Sequence, residues 1–212
     1  MKYLDLFELG KKIEIMDIGA AAINEIPIYT NLISNKIGNL NAFEGDERQI
    51  EKLKLKYKES IKLFTEFLFD GSEQDLYLAA PESGMTSLFK PNKKVLNFFN
   101  HFSHIGKISE IKKIQTSKLN DIEKLPLIDF AKLDIQGSEL TVLKNGNLKL
   151  KKCLAIQVEV SYVCLYENQP TFGEIDLWMR ENGYIPHRFM DIKRWSIAPT
   201  LFNNNPRVPG NQ

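Results

Sequence analysis

The stretch Leu127–Leu140, LIDFAKLDIQGSEL, constrains the fold more than any other part of the chain. It begins as an apolar run with β-branched and aromatic members and ends in Asp134-Ile135-Gln136-Gly137-Ser138-Glu139. An apolar run bounded by polar residues and glycine predicts a buried central strand. From Ser138 to Lys144, Leu140 and Leu143 recur at helical spacing, and Gly146 supplies a stop. A polar cluster therefore falls where a buried strand becomes a helix. In an open α/β sheet that is the edge where ligands bind, so the chemistry is expected within reach of Asp134.

The rest of the chain alternates in the same way. Residues 1–12 read as a leading helix or cap, with Leu4, Phe7 and Leu9 turned inward. Ile13–Gly19 predicts a buried strand ending in Asp17 and Gly19, where glycine permits a sharp turn and close approach of a ligand. Pro27 is placed to open a helix running to Asn35. Asn39–Phe43 predicts a second strand ending in Glu44-Gly45-Asp46, and Glu47–Lys58 a helix with Ile50, Leu53 and Tyr57 on one face. A strand, a glycine turn, a helix, a second strand and an acid form half of a nucleotide-binding unit, in which a carboxylate accepts both hydroxyls of a ribose. An exposed acid at the start of a helix explains Glu44 equally well.

Ile61–Phe69 and Asp75–Ala80 read as two strands joined by a tight turn over Asp70–Gln74. Pro81–Lys93 reads as a loop of small polar residues suited to lining a site, and residues 81–107 as an insertion near it. His101 and His104 share helical spacing but lack a third ligand nearby, which favours surface histidines over a metal site. Ile108–Ser117 is extended. Cys153–Val160 predicts a further buried strand ending in Glu159, Thr171–Asn182 a helix after Pro170, and Tyr184–Met190 a last strand carrying His187 and Arg188. Strands alternating with helices predict one domain over residues 1–212, a mainly parallel three-layer α/β sandwich.

A net charge of +1 in 212 residues gives no strong field, so nucleic acid is not an expected partner. No charged start precedes a long apolar run, so neither a signal peptide nor a membrane partner is expected, and the cytoplasm is the default compartment. Cys153 and Cys164 read as reduced thiols.

Five pieces then carry a resemblance: MDIGA, NAFEGD, LYLAAPESGMTSLFKPN, IDFAKLDIQGSELTVL and EVSYVCLYENQPTFGEID. In that order they resemble the FkbM-type methyltransferases, which use S-adenosylmethionine. The resemblance runs from about Ile13 to the end, and KLDIQGSE followed by EVSYV-x-LY-x-x-QP is its most specific part. It implies a Rossmann-like class I methyltransferase fold with a seven-stranded sheet and methyl transfer to an oxygen, often on a sugar or another hydroxylated small molecule. Carried over by position, Asp17, Gly19 and Ala20 face the methionine part of the cofactor. Glu44, with Gly45 beside it, takes the ribose hydroxyls. Phe69 and Asp70 lie near the adenine, and Asp134 lies beside the amino-acid part of the cofactor or the acceptor.

Two departures stand out. Gly19 is followed by Ala20-Ala21-Ala22-Ile23-Asn24 in place of a glycine-rich loop, which leaves Glu25 or Tyr29 to contribute. The chain also stops at Gln212, so the final strand of the family sheet is expected to be missing, in a truncated or naturally shortened version.

A hydroxyl is a poor nucleophile at neutral pH, so a general base is expected, with Asp134, Glu159 and His187 as candidates in that order. Glu139 at a helix start is expected to stabilise the turn. Asp134 and Glu159 offer two oxygen ligands to a divalent metal, but the expected site holds none. Tyr162, Tyr166 and Trp195 are aromatic candidates for stacking on a sugar, against the commoner use of aromatics in cores. The alternative function is a non-catalytic nucleotide- or partner-binding Rossmann-like module, favoured by the glycine-poor loop and opposed by several acids at strand ends. A nicotinamide-dependent oxidoreductase is disfavoured, because the glycine fingerprint for pyrophosphate is absent.

Overall fold

The structure, a computed structural model, describes residues 10–21 and 26–199. The leading helix expected over residues 1–12 lies mostly outside the described residues, as do Glu25 and the chain end. The central sheet has five strands: β1 (Ile13–Ile18), β2 (Gly38–Phe43), β3 (Ile61–Phe64), β7 (Phe130–Leu133) and β8 (Ala155–Val158). Their order is β3-β2-β1-β7-β8, and every pairing is parallel. The described residues thus form a five-stranded parallel sheet, against the seven strands of the family sheet, of which the last was expected to be missing.

Alternation along the strands builds two cores. Ile15, Leu40 and Ala42 point to one side and pack with Tyr29, with Ile33 of α1 (Thr30–Ser34) and with Leu53 of α2 (Glu47–Tyr57). Met16, Ile18, Phe43, Ala131 and Leu133 point to the other. There they meet Leu140 and Leu143 of α5 (Glu139–Asn145), Leu150 of α6 (Asn147–Leu150) and Ile175 of α7 (Phe172–Glu181). Both faces of β1, β2 and β7 are largely covered, as in a parallel sheet, whereas β8, expected as a buried strand, lies at the sheet edge and is only partly covered, with Ala155 exposed. Helix α7 begins with a capping box between Thr171 and Glu174.

A second sheet stands apart, with the order β4-β6-β5, from β4 (Phe67–Leu68), β5 (Glu73–Ala79) and β6 (Ile108–Ser117). Between β5 and β6 lie α3 (Lys93–Leu96) and α4 (Phe102–Ile105). Ala79, Met85, Leu96, Phe102 and Tyr166 form its core, joined by Trp195. The segment expected as a site insertion is therefore part of a small cap with a core of its own.

Several expectations are corrected. Ile61–Phe69 is not one strand: exposed Thr65 and Glu66 separate β3, in the main sheet, from β4, in the second. The expected hairpin does not form, because β5 pairs antiparallel with β6. Pro27 lies before α1, its carbonyl accepting from the Thr30 amide at 3.0 Å. Tyr184–Met190 is irregular and largely exposed; Pro186, which has no N–H to donate, interrupts it. Both cysteines are free thiols, as expected.

Candidate active site

In a parallel sheet all strands end at one edge, and here four of them end in acids. The ladder runs one residue past each strand and fixes where the acid emerges. Asp134 N–H donates to Ile18 C=O at 3.0 Å, Glu159 N–H to Leu133 C=O at 2.9 Å, and Glu44 N–H to Phe64 C=O at 3.0 Å. Asp17, near the end of β1, is 2 % exposed. The strand order places β1 between β2 and β7, and β8 beside β7, so Glu44, Asp17, Asp134 and Glu159 follow one another across the edge.

Glycine shapes the turn after β1. Gly19 has φ +81°, and a Cβ there would lie 2.0 Å from the Asp134 carbonyl oxygen. Only glycine permits this approach of the two loops. After β7 the chain turns through Gln136 (φ 58°) and Gly137 (φ 109°) into α5. The buried Glu139 carboxylate holds that turn, accepting from the Ile135 N–H at 2.9 Å and the Gly137 N–H at 3.0 and 3.2 Å. Burial still pushes its pKa up to about 7. Glu139 thus has the turn-stabilising place expected for it.

The acids are wired together. Tyr29 donates its hydroxyl to Asp17 Oδ2. The Lys132 ammonium lies 3.5 Å from Asp17 Oδ1 and 3.1 Å from Asp134 Oδ2. Gln136 Nε2 donates to Asp134 Oδ1 at 3.1 Å and to Glu159 Oε2 at 2.9 Å, while its Oε1 accepts from the Tyr166 hydroxyl at 3.0 Å. The Ser87 hydroxyl donates to Gln136 C=O at 2.7 Å, tying the cap to the same turn. Burial opposes charge on Asp134, but Lys132 and a hydrogen bond from Glu159 hold its pKa below the ordinary carboxylate value. Glu159 is pushed well above its ordinary value by burial and by facing Asp134. The two carboxyls are thus pushed in opposite directions, Asp134 toward its charged form and Glu159 toward its neutral one. Lys193 adds positive charge near both.

Glu44 is almost buried, and burial raises its pKa to about 7 although it accepts from the Asp46 N–H at 2.8 Å. A carboxylate has about four acceptor positions, so Glu44 keeps capacity for a ligand diol. Gly45 lies under the Phe67 ring, where a Cβ would come within 2.4 Å. Ala20 is buried, its N–H donating to Phe43 C=O at 3.2 Å. Phe69 is buried edge-on against Phe89, with ring centroids 5.8 Å apart. Asp70 caps its own turn by accepting from the Ser72 N–H at 2.9 Å, and the Ser72 hydroxyl lowers its pKa. His187 is exposed on the irregular stretch after α7, with no hydrogen bond or ion pair to the acids among the described residues.

Sequence reasoning brought Asp17, Gly19, Ala20, Glu44, Gly45, Asp134 and Glu159 to one edge. It missed Lys132, whose signal was its position two residues before Asp134 on the same strand face. It missed Gln136 as the bridge between two carboxylates, and Phe67 as the ring beside Glu44. Tyr29 was named only as a possible contributor. Among the described residues no group of three or more His, Cys, Asp and Glu side chains is arranged to hold a metal ion.

Residues 14–186 match the family described as the methyltransferase FkbM domain. No curated protein and no solved structure matches the chain. The match takes in the parallel sheet except its first residue, Ile13, and all four acids at its edge. On a Rossmann-like α/β fold with that match over most of its length, the chain belongs to the FkbM methyltransferase family.

Proposed function

We propose that the chain transfers a methyl group from S-adenosylmethionine to a hydroxyl of a sugar or another hydroxylated small molecule. The observation that carries this reading is the row of Glu44, Asp17, Asp134 and Glu159 along one edge of a parallel sheet, the ligand edge of this architecture. The residues fit the cofactor. Asp17 Oδ1 is buried and lacks a hydrogen-bond donor beside the Gly19 turn, which suits an ammonium group. Glu44 follows β2, where a ribose diol is expected, and the Phe67 ring lies beside it on Gly45. When bound, S-adenosylmethionine supplies a methyl on a sulfonium that leaves as a neutral thioether.

The chain's own residues must hold the acceptor, exclude water and take its proton. Asp134 is the candidate base, because the Lys132 ammonium 3.1 Å away favours its charged form. Glu159, pushed toward its neutral form and tied to Asp134 through Gln136, orients Asp134. The Asp134 carboxylate would accept the proton of the acceptor hydroxyl as its O–H bond breaks. The three aromatic candidates separate by burial: Tyr166 is 1 % exposed and Trp195 packs on Phe102, whereas Tyr162 is 65 % exposed. Three residues beyond Glu159, Tyr162 clusters with Phe172 and Phe189, at 5.6 and 6.4 Å between centroids. Exposed rings next to hydroxyl-binding acids suit a ring-shaped acceptor with one apolar face.

Calorimetric titration tests the cofactor part. Wild type should bind S-adenosylmethionine and S-adenosylhomocysteine with micromolar affinity, and Glu44→Ala should lose that binding while remaining folded. A folded wild type that binds neither compound would overturn the proposal in favour of the non-catalytic module.

A further inference from the structure

Lys132 is a cation at the strand ends, and its chemistry opposes a cationic ligand. Its side chain is 13 % exposed, with the ammonium between Asp17 and Asp134. Stability alone gives little reason for it, because desolvating a buried ion pair offsets most of its attraction and an apolar pair serves a core as well. Its two contacts are also unequal: the 3.1 Å contact with Asp134 is a hydrogen bond, whereas at 3.5 Å from Asp17 Oδ1 it leaves that oxygen without a hydrogen-bond donor. The ammonium therefore lies where it is felt by whatever occupies the edge between β1 and β7, without filling the place of a donor to Asp17.

Methyl transfer removes one positive charge from the cofactor. S-adenosylmethionine carries a sulfonium, and S-adenosylhomocysteine is neutral at that sulfur. Acids that hold the sulfonium by charge stabilise the ground state more than the transition state, in which that charge disperses, and such uniform or ground-state binding does not speed the reaction. We propose that Lys132 offsets Asp17 and Asp134 so that the site does not hold the sulfonium cofactor by charge alone, and thereby sets the discrimination between cofactor and product. The inference rests on the reading above that the methionine part lies by Asp17, Gly19 and Asp134. Lys132 is thus a positioning residue acting through the two carboxylates.

The test needs no acceptor. Dissociation constants for S-adenosylmethionine and S-adenosylhomocysteine are measured by calorimetry at one pH, about 8, where free carboxylates are ionised. In Lys132→Met the preference for S-adenosylmethionine over S-adenosylhomocysteine should rise roughly threefold or more, since a unit charge a few ångströms away at intermediate dielectric is worth at least that factor. Lys132→Arg, which keeps the charge, should leave the ratio within about twofold of wild type. The double variant Lys132→Met/Asp134→Asn removes one charge of each sign and should bring the ratio back toward wild type. Lys132→Gln, which keeps a donor to Asp134, makes the same comparison should Lys132→Met not fold. An unchanged ratio in a folded, charge-removed variant that binds both compounds would overturn the inference, as would an equal shift in Lys132→Arg. Failure of wild type to bind either compound would instead overturn the cofactor reading itself.

Discussion

Replacing Glu139 by glutamine should change how stability depends on pH. Glu139 is 2 % exposed, accepts backbone N–H groups of Ile135 and Gly137, and has its pKa pushed by burial from 4.5 to about 7. In the unfolded chain the same carboxyl titrates near 4.5, its ordinary value. Between those values the folded protein holds a proton that the unfolded chain has released. The stability contributed by the protonated form is therefore full below about pH 4.5 and is lost as pH rises through about 7. A shift of about two and a half units is worth about 3 kcal/mol. Glutamine has no such slope, so between about pH 5 and about pH 8 the difference in unfolding free energy should move by about 2–3 kcal/mol in favour of Glu139→Gln. Glu44, also raised to about 7, adds a slope common to both proteins that cancels in the difference. Urea unfolding followed by circular dichroism at both pH values measures it. A difference constant within about 0.5 kcal/mol would refute the reasoning, because it would mean that Glu139 titrates alike in the folded and unfolded chain.

Three further changes have definite expected outcomes. Gly19→Ala should lose about 1–2 kcal/mol from its backbone conformation, and more from the clash with the Asp134 carbonyl 2.0 Å away, read as a lower urea midpoint together with weaker S-adenosylmethionine binding. Leu133→Ala, at a position fully buried in the larger core, should cost about 2–5 kcal/mol in denaturant unfolding. Tyr162→Ala, at an exposed ring, should change stability by no more than about 0.5 kcal/mol while lowering methyl transfer to a ring-shaped acceptor.

The parts of the fold that were legible in the sequence are four strands of the central sheet. Strands β1, β2, β7 and β8 are short runs ending in Gly or an acid; β1, β2 and β8 lie within a residue or two of their expected places, and β7 begins three residues into its expected run. Pro170 marks the start of α7, Phe172–Glu181, in the same way. Illegible parts depended on partners distant in sequence. Nothing local shows that Phe64 pairs with Phe43 while Phe67, three residues on, pairs with Thr116. Tyr184–Met190 has strand-like composition, yet Pro186 and exposure on most positions leave it irregular. At the site, acids at strand ends were visible because a buried strand seldom ends in one without reason. Lys132 and Gln136 were not, because their roles come from the side chains on either side of them. A lysine within a strand and a glutamine in a turn have ordinary solvent-exposed uses that sequence alone does not separate from these.

The most direct measurement is a crystal structure of the protein with S-adenosylhomocysteine. The ribose hydroxyls should lie within about 2.6–3.2 Å of the Glu44 carboxylate, and the amino-acid part should meet Asp17 and the Gly19 turn, with Asp134 facing the sulfur side. A ligand bound elsewhere on the molecule, or a ribose held away from Glu44, would contradict the assignment of this edge as the methyl-transfer site.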